Sequence, residues 1–284
     1  MKLKTLTLTP TQIDTLHHQM QAYPLRQIDH AHFQAKLDHG TITAYKSGKV
    51  VFAGDDALLY AQQFEKAEIS QAGSDEVGTG DYFGPVVVCA AYVEEKQLAA
   101  LKELNIMDSK QISDAQIKVI APKIMKLLTY SVLILDNEKY NEVHKKLNMN
   151  AIKAQLHQKA YQHLREKLGG KLPDLVIVDE FTPASNYYKY LNDDYGINHI
   201  TFETKAEDKY ISVACAAIIA RYTFLQALTQ LSEHYEINFP KGAGAQVDQF
   251  GIRFVNKYSL KELNRVAKVH FKNTQRIKES INPK

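Results

Sequence analysis

Residues 73–93 read GSDEVGTGDYFGPVVVCAAYV. Two adjacent carboxylates, Asp75 and Glu76, precede a turn rich in glycine, and the apolar run at 86–93 predicts a buried strand. Neighbouring carboxylates in a buried segment are costly unless a positive group lies between them. A divalent metal ion is the usual group of this kind. The stretch therefore predicts a β-sheet with a metal-binding edge.

Length and composition describe an ordinary globular protein. The chain has 284 residues, of which 45% are hydrophobic and 24% charged, and this balance excludes a disordered protein. Its two cysteines exclude a disulfide framework. The N-terminus lacks the apolar block of a signal peptide, and no stretch approaches the roughly 20 apolar residues of a membrane span. We expect a cytoplasmic protein with no membrane partner and no obligate protein partner.

Positive charge is concentrated near the C-terminus. Residues 251–284 carry nine basic and two acidic side chains, whereas acidic and basic residues are equal in number over 1–70. This asymmetry favours a polyanionic partner. The basic side chains recur at steps of three or four residues, at Lys257, Lys261, Arg265, Lys268, Lys272 and Arg276. If helical, they form one stripe, which either contacts phosphates or is an ordinary solvated face.

Two domains are predicted, a small α+β unit at 1–70 and a larger unit at 71–284. The smaller one contains a helix after Pro10, a hairpin around Ser47-Gly48 and a second helix at 56–68. The residues predicted to face its core from the two helices are Ile13, Leu16, Met20, Leu58, Leu59 and Phe64.

Strands and helices alternate in the larger unit. Apolar runs predict strands at 85–93, 130–136, 174–179 and 198–202. Helical periodicity is found at 113–128, 150–168 and 211–231. The alternation indicates a three-layer α/β domain with parallel pairing among its later strands. The run 73–93 and the shorter segment 130–136 can add antiparallel strands.

Acidic residues cluster at three predicted strand ends. Asp75 and Glu76 open the first strand, Asp179 ends an otherwise apolar one, and Glu207 and Asp208 follow the last. Clustered carboxylate oxygens suit Mg²⁺, and two such ions can assist phosphodiester cleavage. For any one of these acids, a helix cap or a solvent-facing position is the alternative. Adjacent strand residues also point to opposite faces, so the first pair shares a site only if the backbone twists.

The glycines of the first motif allow a second interpretation. Gly78, Gly80 and Gly84 approximate a dinucleotide-binding fingerprint. Their pattern is G-x-G-x-x-x-G, and it precedes a strand, whereas the fingerprint follows a strand and opens a helix. We therefore favour a tight turn whose backbone closely approaches a ligand.

Several motifs, in order along the chain, resemble the type 2 ribonucleases H. The stretch 75–85, DEVGTGDYFGP, resembles their first motif in the form found in ribonuclease HIII. The further motifs are Asp108-Ser109-Lys110, 150–154 (NAIKA), Val178-Asp179, 212–221 and 270–274 (HFKNT). The similarity covers about 73–275. Residues 1–70 resemble the N-terminal extension of ribonuclease HIII, a TATA-binding-protein-like domain that binds substrate.

This resemblance implies a ribonuclease H-like mixed sheet flanked by helices, with a small N-terminal α+β domain. It implies endonucleolytic cleavage of the RNA strand of RNA–DNA hybrids with Mg²⁺ or Mn²⁺, leaving 5′-phosphate and 3′-hydroxyl ends. Asp75, Glu76 and Asp179 correspond to the family's metal-binding carboxylates. Glu207 corresponds to the fourth catalytic acid, and Asp208, one residue later, is the alternative.

The resemblance also suggests residues that bind substrate. The turn Gly78-Thr79-Gly80 would reach ribose 2′-hydroxyls through its backbone, a contact that distinguishes RNA from DNA. Lys110 is either a phosphate contact or an ordinary loop lysine. The remaining candidates are the basic residues Lys257, Lys261, Arg265, Lys268 and Lys272. Two other functions stay open, a ribonuclease HII-like enzyme acting on single embedded ribonucleotides and a non-catalytic nucleic-acid-binding protein.

Overall fold

A computed structural model describes residues 2–8, 10–64, 69–104, 106, 112–191 and 196–281. Its internal contacts divide the chain into two units, Met1–Glu68 and Ile69–Lys284. Each unit is built on one five-stranded sheet.

The smaller unit combines an antiparallel sheet with two helices. Its elements are β1 (Leu3–Thr7), α1 (Pro10–Met20), β2 (Leu25–Arg26), β3 (Ala31–Leu37), β4 (Gly40–Tyr45), β5 (Lys49–Ala53) and α2 (Asp55–Phe64). The strand order is β1-β5-β4-β3-β2, and every pair is antiparallel. Gly48 closes the β4–β5 hairpin at a φ of 85°, a left-handed conformation that favours glycine.

Most of the predicted elements of this unit are confirmed. The core positions expected on α1 are buried, namely Ile13, Leu16 and Met20. On α2 the prediction for Leu59 is wrong, because Ala57 and Ala61 form the buried face and Leu59 is 61% exposed. The last part of that predicted helix, 65–68, lies outside the described residues. Strand β3 was not predicted from the sequence, although its residues alternate between buried and less buried positions.

The larger unit has a mixed sheet surrounded by helices. Its strands are β6 (Gln71–Val77), β7 (Val86–Val93), β8 (Thr129–Leu135), β9 (Leu175–Asp179) and β10 (Ile200–Glu203). Its helices are α3 (Leu98–Glu103), α4 (Asp114–Leu127), α5 (Asn137–His144), α6 (Met149–Lys167), α7 (Ala184–Lys189), α8 (Ile211–Tyr235), α9 (Ala245–Lys257), α10 (Leu260–Val266) and α11 (Lys272–Ile281).

Strand pairing in this sheet follows the order β10-β9-β6-β7-β8. The pairs β6–β7 and β7–β8 are antiparallel, whereas β6–β9 and β9–β10 are parallel. This confirms the predicted α/β class with a mixed sheet and parallel pairing in the later part. The residues of β7 are apolar throughout because this central strand is covered on both faces.

Helices on both faces of the sheet complete three layers. Helix α8 packs on β6 and β7 from one side, and α6 packs on β7 and β8 from the other. Gly73 allows the close approach of α8, because an added Cβ would lie within 3.0 Å of the Val213 backbone nitrogen. Helix α8 is long and apolar enough to cross a membrane, yet 67% of its most apolar window is buried inside the protein. Its composition therefore reflects its place in the core.

Candidate active site

Two of the predicted acids meet at one edge of the sheet. Strands β6 and β9 are parallel neighbours in which Ser74 lies opposite Val178. The next residue along each strand is Asp75 on β6 and Asp179 on β9. Parallel neighbours present their carboxyl ends at the same edge, and this register places the two aspartates side by side.

A short turn after β10 adds a third acid. The backbone N–H of Ala206 donates a hydrogen bond of 2.8 Å to Oδ1 of Asp179. Lys205, just before it, has a φ of 53°, so the chain turns sharply into a 3-10 segment at Ala206–Asp208. Glu207 is then buried, with 7% of its surface exposed, whereas Asp208 faces solvent.

The electrostatics of Asp75 reflect the neighbouring acids. Burial raises the pKa of Asp75 well above its usual range, and the charges of Glu76, Asp179 and Glu207 raise it further. The backbone N–H of Glu76, which donates to Oδ1 of Asp75 at 2.7 Å, acts in the opposite direction. The four predicted acids are therefore close enough to influence one another.

Glu76 directs its carboxylate towards helix α6. Its Oε1 forms an ion pair with Nζ of Lys153, and its Oε2 lies 2.9 Å from Nε2 of His157. Burial raises the pKa of Glu76, but the hydrogen bond and charge of His157, together with Lys153, outweigh burial and bring the pKa below its usual value. Neither Lys153 nor His157 was predicted from the sequence to belong to the site. The signal available for them was two polar residues four apart on a helix otherwise expected to be buried.

The donor chemistry of the site fits a hard divalent cation. All four acids offer carboxylate oxygens, which Mg²⁺ and similar ions prefer. A cation would also relieve the mutual repulsion that raises the pKa of Asp75. Across the described ranges, no three acidic, histidine or cysteine side chains are grouped tightly enough to hold an ion between them. Both carboxylate oxygens of Glu76 are engaged by α6.

A glycine turn lies immediately beyond the acids. Gly78 has a φ of 93°, and an added Cβ would come within 3.0 Å of the Pro85 carbonyl oxygen. Gly84 has a φ of 82°, so glycine suits this position as well. Gly80 is exposed, and an added Cβ there would meet no atom within 4 Å. The turn therefore has two closely packed ends and an open centre at Thr79 and Gly80.

The C-terminal part of the unit holds this turn in place. Nζ of Lys268 donates to the carbonyl oxygens of Asp81 and Gly84, at 2.9 and 2.5 Å. The backbone N–H of Gly84 donates to the Val266 carbonyl oxygen at 3.0 Å. Burial lowers the pKa of Lys268 to about 7, and the negative charge of Asp81 acts in the opposite direction. Lys268 thus stabilises the backbone of the turn through these two hydrogen bonds.

The prediction of one basic stripe is wrong. Residues 245–281 form three separate helices, α9, α10 and α11, so the basic residues do not share one helix face. Lys268 lies between α10 and α11 and is fully buried, which contradicts its expected contact with substrate phosphates. Arg265 lies 3.3 Å from Glu138 and 3.2 Å from Glu262, and is partly neutralised.

Other predicted contacts remain available to substrate. The side chains of Lys257, Lys261 and Lys272 are exposed. Lys110 lies outside the described residues, as does the rest of the segment 107–111.

Comparison with known proteins identifies the family. A family model described as Ribonuclease HII matches residues 72–274, and one described as a domain of unknown function (DUF3378) matches residues 5–76. Ribonuclease HIII of Bacillus pumilus (strain SAFR-032) is 42% identical over 272 residues, which cover 87% of this chain and 89% of that protein. Ribonuclease HIII of Bacillus mycoides (strain KBAB4) is 40% identical over 271 residues, covering 86% and 87%.

A solved structure agrees with these relatives. The crystal structure of Bst-RNase HIII in complex with Mn²⁺ superimposes with a TM-score of 0.77 at 34% identity, covering 100% of both chains. Sequence, fold and the carboxylate edge of the sheet all lead to the same assignment. The chain therefore belongs to the type 2 ribonuclease H family, in its ribonuclease HIII branch, and is an endonuclease acting on the RNA strand of RNA–DNA hybrids.

Proposed function

We propose that this endonuclease cleaves hybrids at the carboxylate edge of the larger sheet, with Asp75, Glu76, Asp179 and Glu207 as its catalytic acids. The observation that carries the proposal is the meeting of Asp75, Asp179 and the buried Glu207 beside an open glycine turn. Asp75, Glu76 and Asp179 would hold Mg²⁺ or Mn²⁺, and cleavage would leave 5′-phosphate and 3′-hydroxyl ends. When bound, such ions supply Lewis acidity and an activated water.

The chain's own residues would select and orient the RNA strand. The open centre of the turn, Gly78-Thr79-Gly80, allows backbone groups to approach a ribose 2′-hydroxyl, which DNA lacks. The exposed Lys257, Lys261 and Lys272 would contact phosphates outside the site. Lys110 is a further phosphate contact in this proposal.

The proposed organisation assigns substrate binding to the smaller domain, 1–70, and catalysis to 71–284. The resemblance of the smaller unit to the substrate-binding extension of ribonuclease HIII supports this division. In this proposal the enzyme acts in the cytoplasm.

One assay separates the proposed function from its alternatives. We would compare cleavage of a continuous RNA–DNA hybrid with cleavage of a DNA duplex carrying one ribonucleotide, each with Mg²⁺, with Mn²⁺ and with a chelator. Cutting of the continuous hybrid that requires a divalent ion supports the proposal. Cutting confined to the single ribonucleotide would indicate a ribonuclease HII-like specificity, and binding without any cutting would indicate a non-catalytic protein.

Three substitutions test the acids. Asp75→Asn should lower the cleavage rate by more than about 100-fold, because even the outer-shell partners of metal ligands contribute about 10- to 100-fold. Binding of the hybrid, measured by fluorescence anisotropy, should persist. Glu207→Gln should also lose cleavage, whereas Asp208→Asn should retain it because Asp208 faces solvent. The reverse pattern would make Asp208 the fourth acid.

A further inference from the structure

Both carboxylate oxygens of Glu76 are engaged by one helix. Lys153 contacts Oε1 and His157 contacts Oε2, the latter at 2.9 Å. These two residues are four apart on α6 and therefore lie on the same helix face. The three side chains are 10%, 0% and 12% exposed for Lys153, His157 and Glu76. The contact is thus a buried clamp on one of the proposed metal ligands.

Neighbouring side chains fix the positions of Lys153 and His157. Nδ1 of His157 lies 2.7 Å from the hydroxyl of Ser74, the residue before the first acid. A carboxylate only accepts hydrogen bonds, so Nε2 of His157 donates to Glu76, and Nδ1 forms its own hydrogen bond with the Ser74 hydroxyl. The Phe181 ring lies 3.9 Å from Nζ of Lys153 and stacks on His157 at 5.5 Å between centroids. The position of Glu76 is therefore determined from several directions.

Stability alone is a poor explanation for this cluster. Removing a lysine and a glutamate from water costs free energy that their attraction often fails to recover, so buried ion pairs contribute weakly to stability. An apolar pair of similar volume would serve packing at least as well. Lys153 and His157 instead bind the carboxylate of Glu76, for whose oxygens a cation in the proposed site is expected to compete.

We propose that Lys153 and His157 are positioning residues that act through Glu76 to set the affinity of the site for its divalent cation. Lys153 competes with the cation for the Glu76 carboxylate and weakens binding. His157 fixes the direction of that carboxylate through the hydrogen bond between Nε2 and Oε2, and so strengthens binding. The inference rests on the proposed role of Glu76 as a metal ligand.

The two residues should therefore have effects of opposite sign. A cation beside a carboxylate typically lowers its proton affinity by about ten- to a thousandfold, and a metal ion competes in the same way as the proton. Lys153→Met should accordingly tighten Mn²⁺ binding by about tenfold. Loss of a residue that orients a metal ligand typically weakens metal binding by about 10- to 100-fold, and His157→Leu should follow this pattern.

Isothermal titration calorimetry with Mn²⁺ alone provides the test. The full-length wild type is compared with Lys153→Met, Lys153→Arg and His157→Leu. Lys153→Arg keeps the positive charge and should return the affinity close to that of the wild type. Lys159→Met is the matched control, since Lys159 lies on the exposed face of the same helix and its loss should leave the affinity unchanged. A purely structural role would instead move Lys153→Met and His157→Leu in the same direction, which would overturn the proposal.

A double-mutant cycle tests whether Lys153 acts on metal affinity through Glu76. In the Glu76→Gln background, removing Lys153 no longer leaves a buried carboxylate charge without its lysine partner. Lys153→Met is measured again in a Glu76→Gln background, where the gain in affinity should disappear. A gain that persists there, or one of equal size in Lys159→Met, would refute action through Glu76. Because binding is measured without substrate, a wild type that binds Mn²⁺ but cuts no hybrid would count against the proposed function and not against this inference.

Discussion

Replacement of Gly78 by alanine tests whether the turn beside the acids is closely fitted. Gly78 has a φ of 93°, a region that L-residues occupy at a cost of about 1–2 kcal/mol. An added Cβ would also lie within 3.0 Å of the Pro85 carbonyl oxygen, which is backbone and cannot rotate away. Overpacking of this kind costs about 1–3 kcal/mol. Gly78→Ala should therefore lower the free energy of unfolding by about 2–5 kcal/mol.

The same turn offers a control of identical chemistry. Gly80 is two residues away, and an added Cβ there would meet no atom within 4 Å. Gly80→Ala should consequently change the free energy of unfolding by no more than about 0.5 kcal/mol, as surface substitutions usually do. Both variants add one methyl group to the same turn, so their difference isolates the fit at Gly78.

Urea unfolding followed by circular dichroism measures both values. With a slope of about 3 kcal/mol per molar urea, the upper end of the usual range because the slope grows with chain size, the midpoint of Gly78→Ala should fall by about 0.7–1.7 M while the slope stays unchanged. Equal midpoints for the two variants would refute the argument, because the turn would then accommodate a side chain at either glycine.

Two further predictions concern charge. Changing Lys257, Lys261 and Lys272 together to glutamine should reduce the slope of log affinity for hybrid against log salt by up to about 3. Lys268→Met should leave this slope unchanged, because the ammonium of Lys268 is buried. An equal reduction of the slope by Lys268→Met alone would show that Lys268 does contact phosphate. Burial and neighbouring acids raise the pKa of Asp75 in the folded protein, so the folded state holds a proton that the unfolded chain has lost above about pH 4. Stability in a chelator should therefore fall as the pH rises from that value towards the folded pKa, and Asp75→Asn should raise the melting temperature near neutral pH but not near pH 4; a melting temperature that does not change with the substitution at either pH would contradict this.

The elements of the fold follow largely from hydrophobic periodicity. The apolar run at 86–93 predicts a central strand, and the steps of four along 150–168 predict α6, because both patterns report burial directly. Both inferences use residues close together in the sequence. The pairing of Asp75 with Asp179 was not predicted, because Asp75 was expected to open the first strand and instead lies near the carboxyl end of β6, parallel to β9.

The parts that were missed depend on distant partners. Lys153 and His157 are polar residues inside a helix, and their burial makes sense only beside Glu76, 81 residues from His157. Lys268 resembles one member of a solvated basic stripe until its carbonyl acceptors, more than 180 residues away, are known. One local signal could have shown that these basic residues belong to separate helices. Ser259 and Glu262 have the spacing of a capping box, and the Ser259 hydroxyl accepts from the Glu262 backbone N–H at the start of α10.

The support of the glycine turn by the C-terminal segment has a consequence for the timing of activity. The Tyr82 hydroxyl pairs with that of Thr274, 192 residues later, and the backbone near Val266 binds Gly84. On the ribosome, the turn cannot reach this arrangement until about 10–40 s after Asp75 has been made, at about 5–20 residues per second. The acids are thus synthesised long before the structure that would present RNA to them. We therefore expect a growing chain to cut no hybrid before the segment around residue 274 has been made.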